Sequence, residues 1–207
     1  GHTMSIVDHL ACSPGTAGLS LEDSLRVFSD IGFRNMELFC KGASAPDMHA
    51  DPEAYRSLAA RYGVHISSFH LPNVSADLAG SFEWAVHAAR FGQALGAEVA
   101  LFNADTRDVM IQALPRFLDR TADLGIAIAV QNHPGRALET GTDYRAVFAG
   151  VHDDPRLKAV LEVGAFHHFG WHWRQGYDLL GNRIALVHIK DMVGTQSVPY
   201  GKGEVDI

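Results

Sequence analysis

Apolar positions along this chain follow two alternating rhythms. Short runs rich in branched aliphatics read as strands: SIVDHLACS (5–13), FRNMELFC (33–40), VHISSFHLP (64–72), AEVALFNAD (97–105), IAIAVQNHP (126–134), RLKAVLEVG (156–164) and IALVHIKDM (184–192). Between them, apolar residues recur at helical spacing over 19–32, 51–63, 81–96, 107–125, about 140–152, and within a loop-and-helix stretch at 171–183. Ser20 and Asp51 stand where N-caps belong, Pro52 takes a first helical position, and Gly32, Gly63, Gly96 and Gly125 stop four helices. Pro115 is expected to kink or restart the fourth helix. The last segment, PYGKGEVDI, has no strong period.

Strand and helix alternate at a spacing of roughly thirty residues, as right-handed βαβ units require. Seven such strands are one short of the eight that close a barrel. The expected fold is therefore α/β, a (β/α)8 TIM barrel lacking its C-terminal eighth strand and helix in this chain. Residues 1–4, Gly-His-Thr-Met, read as an expression scar, and no linker divides 5–207, so a single domain is expected.

Strand side chains alternate faces. That parity sets Gln131 and His133 with Ala127 and Ala129, on a small-residue face that suits a barrel interior. It also places a polar group near the end of every strand from the second to the seventh: Glu37, His70, Asn103, Gln131, Glu162 and His188. A buried His or Glu satisfied by a neighbour explains any one of them, but six in succession point to a converging site. A carboxylate, an imidazole and an amide oxygen suit a divalent cation such as Mn²⁺, Mg²⁺, Co²⁺ or Zn²⁺. The expected ligands are Glu162 and His188, with Gln131 as a weaker neutral one. Glu37, His70 and Glu162 are the candidate catalytic groups. Asn103, Gln131, His133, Lys190 and Asp191 are candidate substrate contacts, although Lys190 and Asp191 could equally pair with each other. Trp171, His172 and Trp173 either wall a pocket or pack a helix, and His167 and His168 carry no assigned role.

The 207 residues carry a formal net charge of −7 with no basic block, which argues against a nucleic-acid surface. No apolar run approaches a membrane span, and two cysteines define no disulfide framework, so a cytoplasmic location is expected.

The order of GFRNMELF, SSFHLP, IAIAVQNHP, VLEVGAFHHFG, VHIKD and GKGEVDI resembles the xylose-isomerase-like TIM-barrel superfamily of sugar-phosphate isomerases and epimerases. The resemblance implies a single divalent metal held by Glu on strand five, Asp on strand six, His on strand seven and Glu on strand eight. Those roles fall on Gln131, Glu162 and His188. Gln131 stands for the family's Glu, Glu162 for its Asp, and Ala165 for a His that often follows. The fourth ligand has no counterpart, so Gln131 and the missing eighth strand leave a metal-free site open.

The function so implied is metal-assisted proton transfer on a small sugar or ketose-like substrate, with a degenerate metal site. The rival reading is a non-catalytic or weakly catalytic sugar- or polyol-binding or assembly subunit. The superfamily's apurinic-site endonuclease branch fits less well, because Asn103 and Gln131 replace two of its ligands. An open barrel edge would call for a homo-oligomer or a partner chain to cover it.

Overall fold

The structure, a computed structural model, describes residues 5–15 and 17–206. The four residues read as an expression scar lie outside this range.

The elements follow the expected alternation. Strands β1 (Ala11–Cys12), β2 (Asn35–Phe39), β3 (His65–His70), β4 (Val99–Leu101), β5 (Ala127–Val130), β6 (Leu157–Glu162) and β7 (Ile184–His188) take their places in the sheet in chain order. Between them come α1 (Leu21–Ile31), α2 (Pro52–Arg61), α3 (Leu78–Leu95), α4 (Arg107–Thr121) and α5 (Gly141–Gly150). α6 (Val163–His168) and α7 (Trp173–Leu180) follow β6. A two-stranded antiparallel hairpin, β8 (Asp191–Val193) with β9 (Gln196–Val198), comes after β7. Seven parallel strands with interleaved helices make this a TIM-barrel fold without its eighth strand and helix.

Local chemistry accounts for the boundaries. The Ser20 side chain accepts from the Asp23 N–H at 3.1 Å and starts α1. At its end Gly32 sits at φ 113°, where its N–H and that of Phe33 return to the Phe28 carbonyl. Asp51 caps α2 through the Glu53 N–H. α4 runs unbroken through Pro115, at the cost of one backbone hydrogen bond.

Three expectations about the strands are corrected. Residues 5–13 do not form one strand. Ile6–His9 is a 3₁₀ turn, in which the Asp8 side chain accepts from the Ser5 N–H at 3.1 Å, and only Ala11–Cys12 pairs. The sixth strand stops at Glu162 and turns directly into α6, which the apolar residues continuing from Val160 to Val163 concealed. The seventh stops at His188, and Asp191 opens the hairpin instead of continuing the strand. The glycine-rich tail is bound back to that hairpin by Asp191.

The chain forms two compact units. Of the described residues, the first holds those within 5–72, 83–101 and 121–126, with β1 to β4 paired in succession. Its core includes Leu25, Met36, Leu38, Ile66, Phe69 and Leu95, all fully buried. Gly92 lets α3 lie close on β3, since a Cβ there would stand 2.9 Å from the Phe69 ring.

The second unit holds residues 73–82, 102–120 and 127–207, with β5 to β7 paired in succession. Phe102 and Phe82 pack edge-on against Phe117, at 4.8 and 5.8 Å. Tyr144, Phe148, Phe166 and Trp171 stack in a second layer. Among the described residues no helix is long and apolar enough to cross a membrane.

Candidate functional site

Each unit carries polar side chains at or just past the C-terminal ends of its strands. In the first unit β2 and β3 run in parallel, with a register shift after Met36 that sets Glu37 opposite Ser68. The Ser68 hydroxyl donates to Glu37 Oε1 at 2.9 Å, and His70 Nε2 stands 3.2 Å from Glu37 Oε2. The His70 ring also stacks on Phe39, with centroids 4.0 Å apart. Glu37 is 7 % exposed and His70 6 %. A carboxylate this deep is held by a hydroxyl and an imidazole, the arrangement that suits a group taking and returning a proton.

In the second unit β6 and β7 set Glu162 directly opposite His188, again after a register shift. His188 Nδ1 lies 3.0 Å from Glu162 Oε2. Glu162 is 4 % exposed, and its other oxygen, Oε1, is buried with no hydrogen-bond partner. The same is true of Gln131 Oε1, one residue past the end of the neighbouring β5. Two buried acceptors left open on adjacent strands are costly unless a donor or a cation meets them. A carboxylate oxygen, an amide oxygen and an imidazole are ligand types that fit a divalent cation.

The remaining expected contacts are placed as follows. Asn103 lies two residues past β4. His133 turns Nδ1 towards the Pro134 carbonyl at 2.8 Å. The Lys190 stem packs across Gly164, where a Cβ would meet it at 2.9 Å.

Asp191 is buried, and the chain's own backbone takes up its carboxylate: Oδ1 accepts from Met192 and Val205, and Oδ2 from Gly201 and Gly203. The Gly203 N–H foremost, with the other three, outweighs burial and holds this carboxyl below its ordinary value. Asp191 is thus the anchor of the hairpin and tail. Trp171 stacks on Phe166 at 5.7 Å and covers Gly141, so it packs helices. His167 Nε2 meets Glu204 Oε2 at 3.0 Å.

Ser68 and Tyr144 were not singled out by sequence. A serine inside a strand and a tyrosine on an amphipathic helix look like ordinary core residues until their partners are known. The alternation of a strand does show Ser68 sharing the face of His70, which is the one usable signal.

A TIM-barrel chain with carboxylate, imidazole and amide groups at its strand ends belongs to the class in which active sites sit on that face. A family model described as xylose isomerase-like TIM barrel matches residues 25–207, and the chain belongs to this family. Among curated proteins no sequence matches. Among solved structures, the probable 3-DHS dehydratase AsbF from Bacillus anthracis is similar at TM-score 0.76 and 14 % identity, over 95 % of this chain and 85 % of that one. A D-tagatose 3-epimerase-like protein matches at 0.75 and 18 %, over 95 % and 83 %. A xylose isomerase-like TIM barrel protein from Mycobacterium smegmatis in complex with magnesium matches at 0.75 and 17 %, over 95 % and 82 %. At these identities the likeness is one of fold. Family and neighbours together point to an enzyme.

Proposed function

We propose that the chain is an isomerase or epimerase that moves a proton on a small sugar or ketose-like substrate with the help of a divalent cation. The observation that carries this reading is the pair of open buried acceptors, Glu162 Oε1 and Gln131 Oε1, with His188 fixed on Glu162 at 3.0 Å. Glu162, His188 and Gln131 would hold the cation. Once bound, it would supply Lewis acidity to a substrate carbonyl and its neighbouring hydroxyl.

The chain's own groups do the rest. His188 orients Glu162 through the shared hydrogen bond. Glu37, seated by Ser68 and His70, is the proposed proton carrier. Asn103, His133 and Lys190 are the proposed substrate contacts. Gln131 contributes a neutral oxygen where a carboxylate would contribute charge, and so weakens cation binding. That substitution supports a second reading, a sugar- or polyol-binding subunit with little turnover. Val187 and Ile189, 48 % and 50 % exposed at and just after β7, support cover by a second copy or a partner chain.

Deuterium wash-in tests the first reading. A panel of aldoses and ketoses is incubated with the protein and Mn²⁺ in D2O, and substrate C–H signals are followed by NMR. The expected result is protein-dependent exchange that falls by roughly a hundredfold or more in Glu37→Gln, as removal of a general acid–base group does. Absence of exchange across the panel, with sugar binding retained, favours the binding subunit.

A further inference from the structure

Tyr144 lies on α5, and its ring is fully buried, stacked between Phe148 at 5.8 Å and Phe166 at 6.1 Å. A phenol that deep needs partners for its oxygen. Its hydroxyl accepts from the Asn132 N–H at 2.9 Å and donates to the Val160 carbonyl at 2.9 Å. Asn132 is the residue after Gln131, and Val160 lies two before Glu162. The β5–β6 pairing runs from Ile128↔Leu157 to Val130↔Ala159 and stops there. Past that point the two strand ends carry open acceptors, and one phenolic oxygen bridges them.

Asn132 is fixed from its other side as well. Its Nδ2 donates to the Glu139 carbonyl at 3.1 Å, and its Oδ1 lies 3.3 Å from the tyrosine oxygen. The backbone on both flanks of the candidate site is therefore tied to a single hydroxyl on a helix behind the sheet.

We propose that Tyr144 is a positioning residue. Its hydroxyl takes over where the β5–β6 ladder ends and sets the spacing between Gln131 and Glu162. This rests on the cation-holding role proposed for that pair. Burial, and secondarily the nearby Glu162 carboxylate, raise the phenol's pKa far above neutrality, so it keeps its proton and its role as a donor.

Tyr144→Phe removes the oxygen and leaves the ring. The matched control is Phe117→Leu, a core change in the same unit at a ring that packs on Phe82 and Phe102. Mn²⁺ affinity and the bound-ion spectrum are measured by EPR, and the Gln131 side-chain NH2 resonances by ¹H–¹⁵N NMR without metal. Tyr144→Phe is expected to weaken Mn²⁺ binding by roughly tenfold or more, alter the EPR spectrum and shift the Gln131 resonances. Phe117→Leu, despite a similar loss in Tm, should leave all three near wild type. Wild-type affinity in Tyr144→Phe, or equal losses in both variants, would overturn the proposal. If the wild-type protein takes up no Mn²⁺, the cation role of Gln131 and Glu162 fails by itself. The positioning proposal is then decided by the Gln131 resonances: a shift confined to Tyr144→Phe supports it, and no shift overturns it.

Discussion

At Gln131 an amide oxygen is buried without a partner, one residue past a strand paired with β6 from Ile128 to Val130. Exchanging that amide for a carboxylate adds a negative ligand if a cation binds, and an uncompensated buried charge if none does. Gln131→Glu is therefore expected to tighten Mn²⁺ binding by at least tenfold and to lose about 1–3 kcal/mol of stability without metal. Thermal melts with and without Mn²⁺ read both effects together. Ser68 offers a second residue-scale test. Its hydroxyl supports a buried carboxylate, so Ser68→Ala should cost about 1.5–3 kcal/mol, read from denaturant midpoints. A cost below a few tenths would mean that Glu37 does not depend on Ser68.

Among the elements, Asp191 is the side chain that gathers the most backbone donors from the hairpin and tail. Asp191 receives N–H bonds from Met192, Gly201, Gly203 and Val205, which keep its pKa below the usual carboxylate value. The order it lends is complete above the unfolded value of about 3.9 and is lost as pH falls through the lower folded value. The protection of the Gly203 amide against hydrogen exchange, relative to its intrinsic rate at each pH, should fall over that acid window. Asp191→Asn should raise this exchange by roughly tenfold or more already at neutral pH and flatten its acid dependence. Gly92 makes the packing case. Gly92→Val would press on the fully buried Phe69, and is expected to destabilise the protein by roughly 2–3 kcal/mol in a urea melt.

These elements also show what sequence carried. Periodicity and glycine stops located six of the parallel strands and the helices from α1 to α5, because burial and capping are local constraints. The placement of Glu162 and His188 near their strand ends followed from strand parity, which is also local, whereas their hydrogen bond depends on a register shift between β6 and β7. The folding-back of the tail was not legible, since it depends on Asp191 reaching backbone donors ten to fourteen residues away. The short 3₁₀ turn at Ile6–His9 was missed because branched residues there mimic a strand. The Tyr144 bridge escaped because its meaning lies in two partners on different strands.

For the whole molecule, the family and the TIM-barrel topology are established, and the cation role proposed for the ends of β5, β6 and β7 is the claim to test. The most direct measurement is calorimetric titration of the intact protein with Mn²⁺, alongside Glu162→Ala and Gln131→Glu. The account predicts one ion bound by the wild type, binding lost in Glu162→Ala, and binding tightened in Gln131→Glu. No uptake by any of the three, or uptake indifferent to both substitutions, would contradict it.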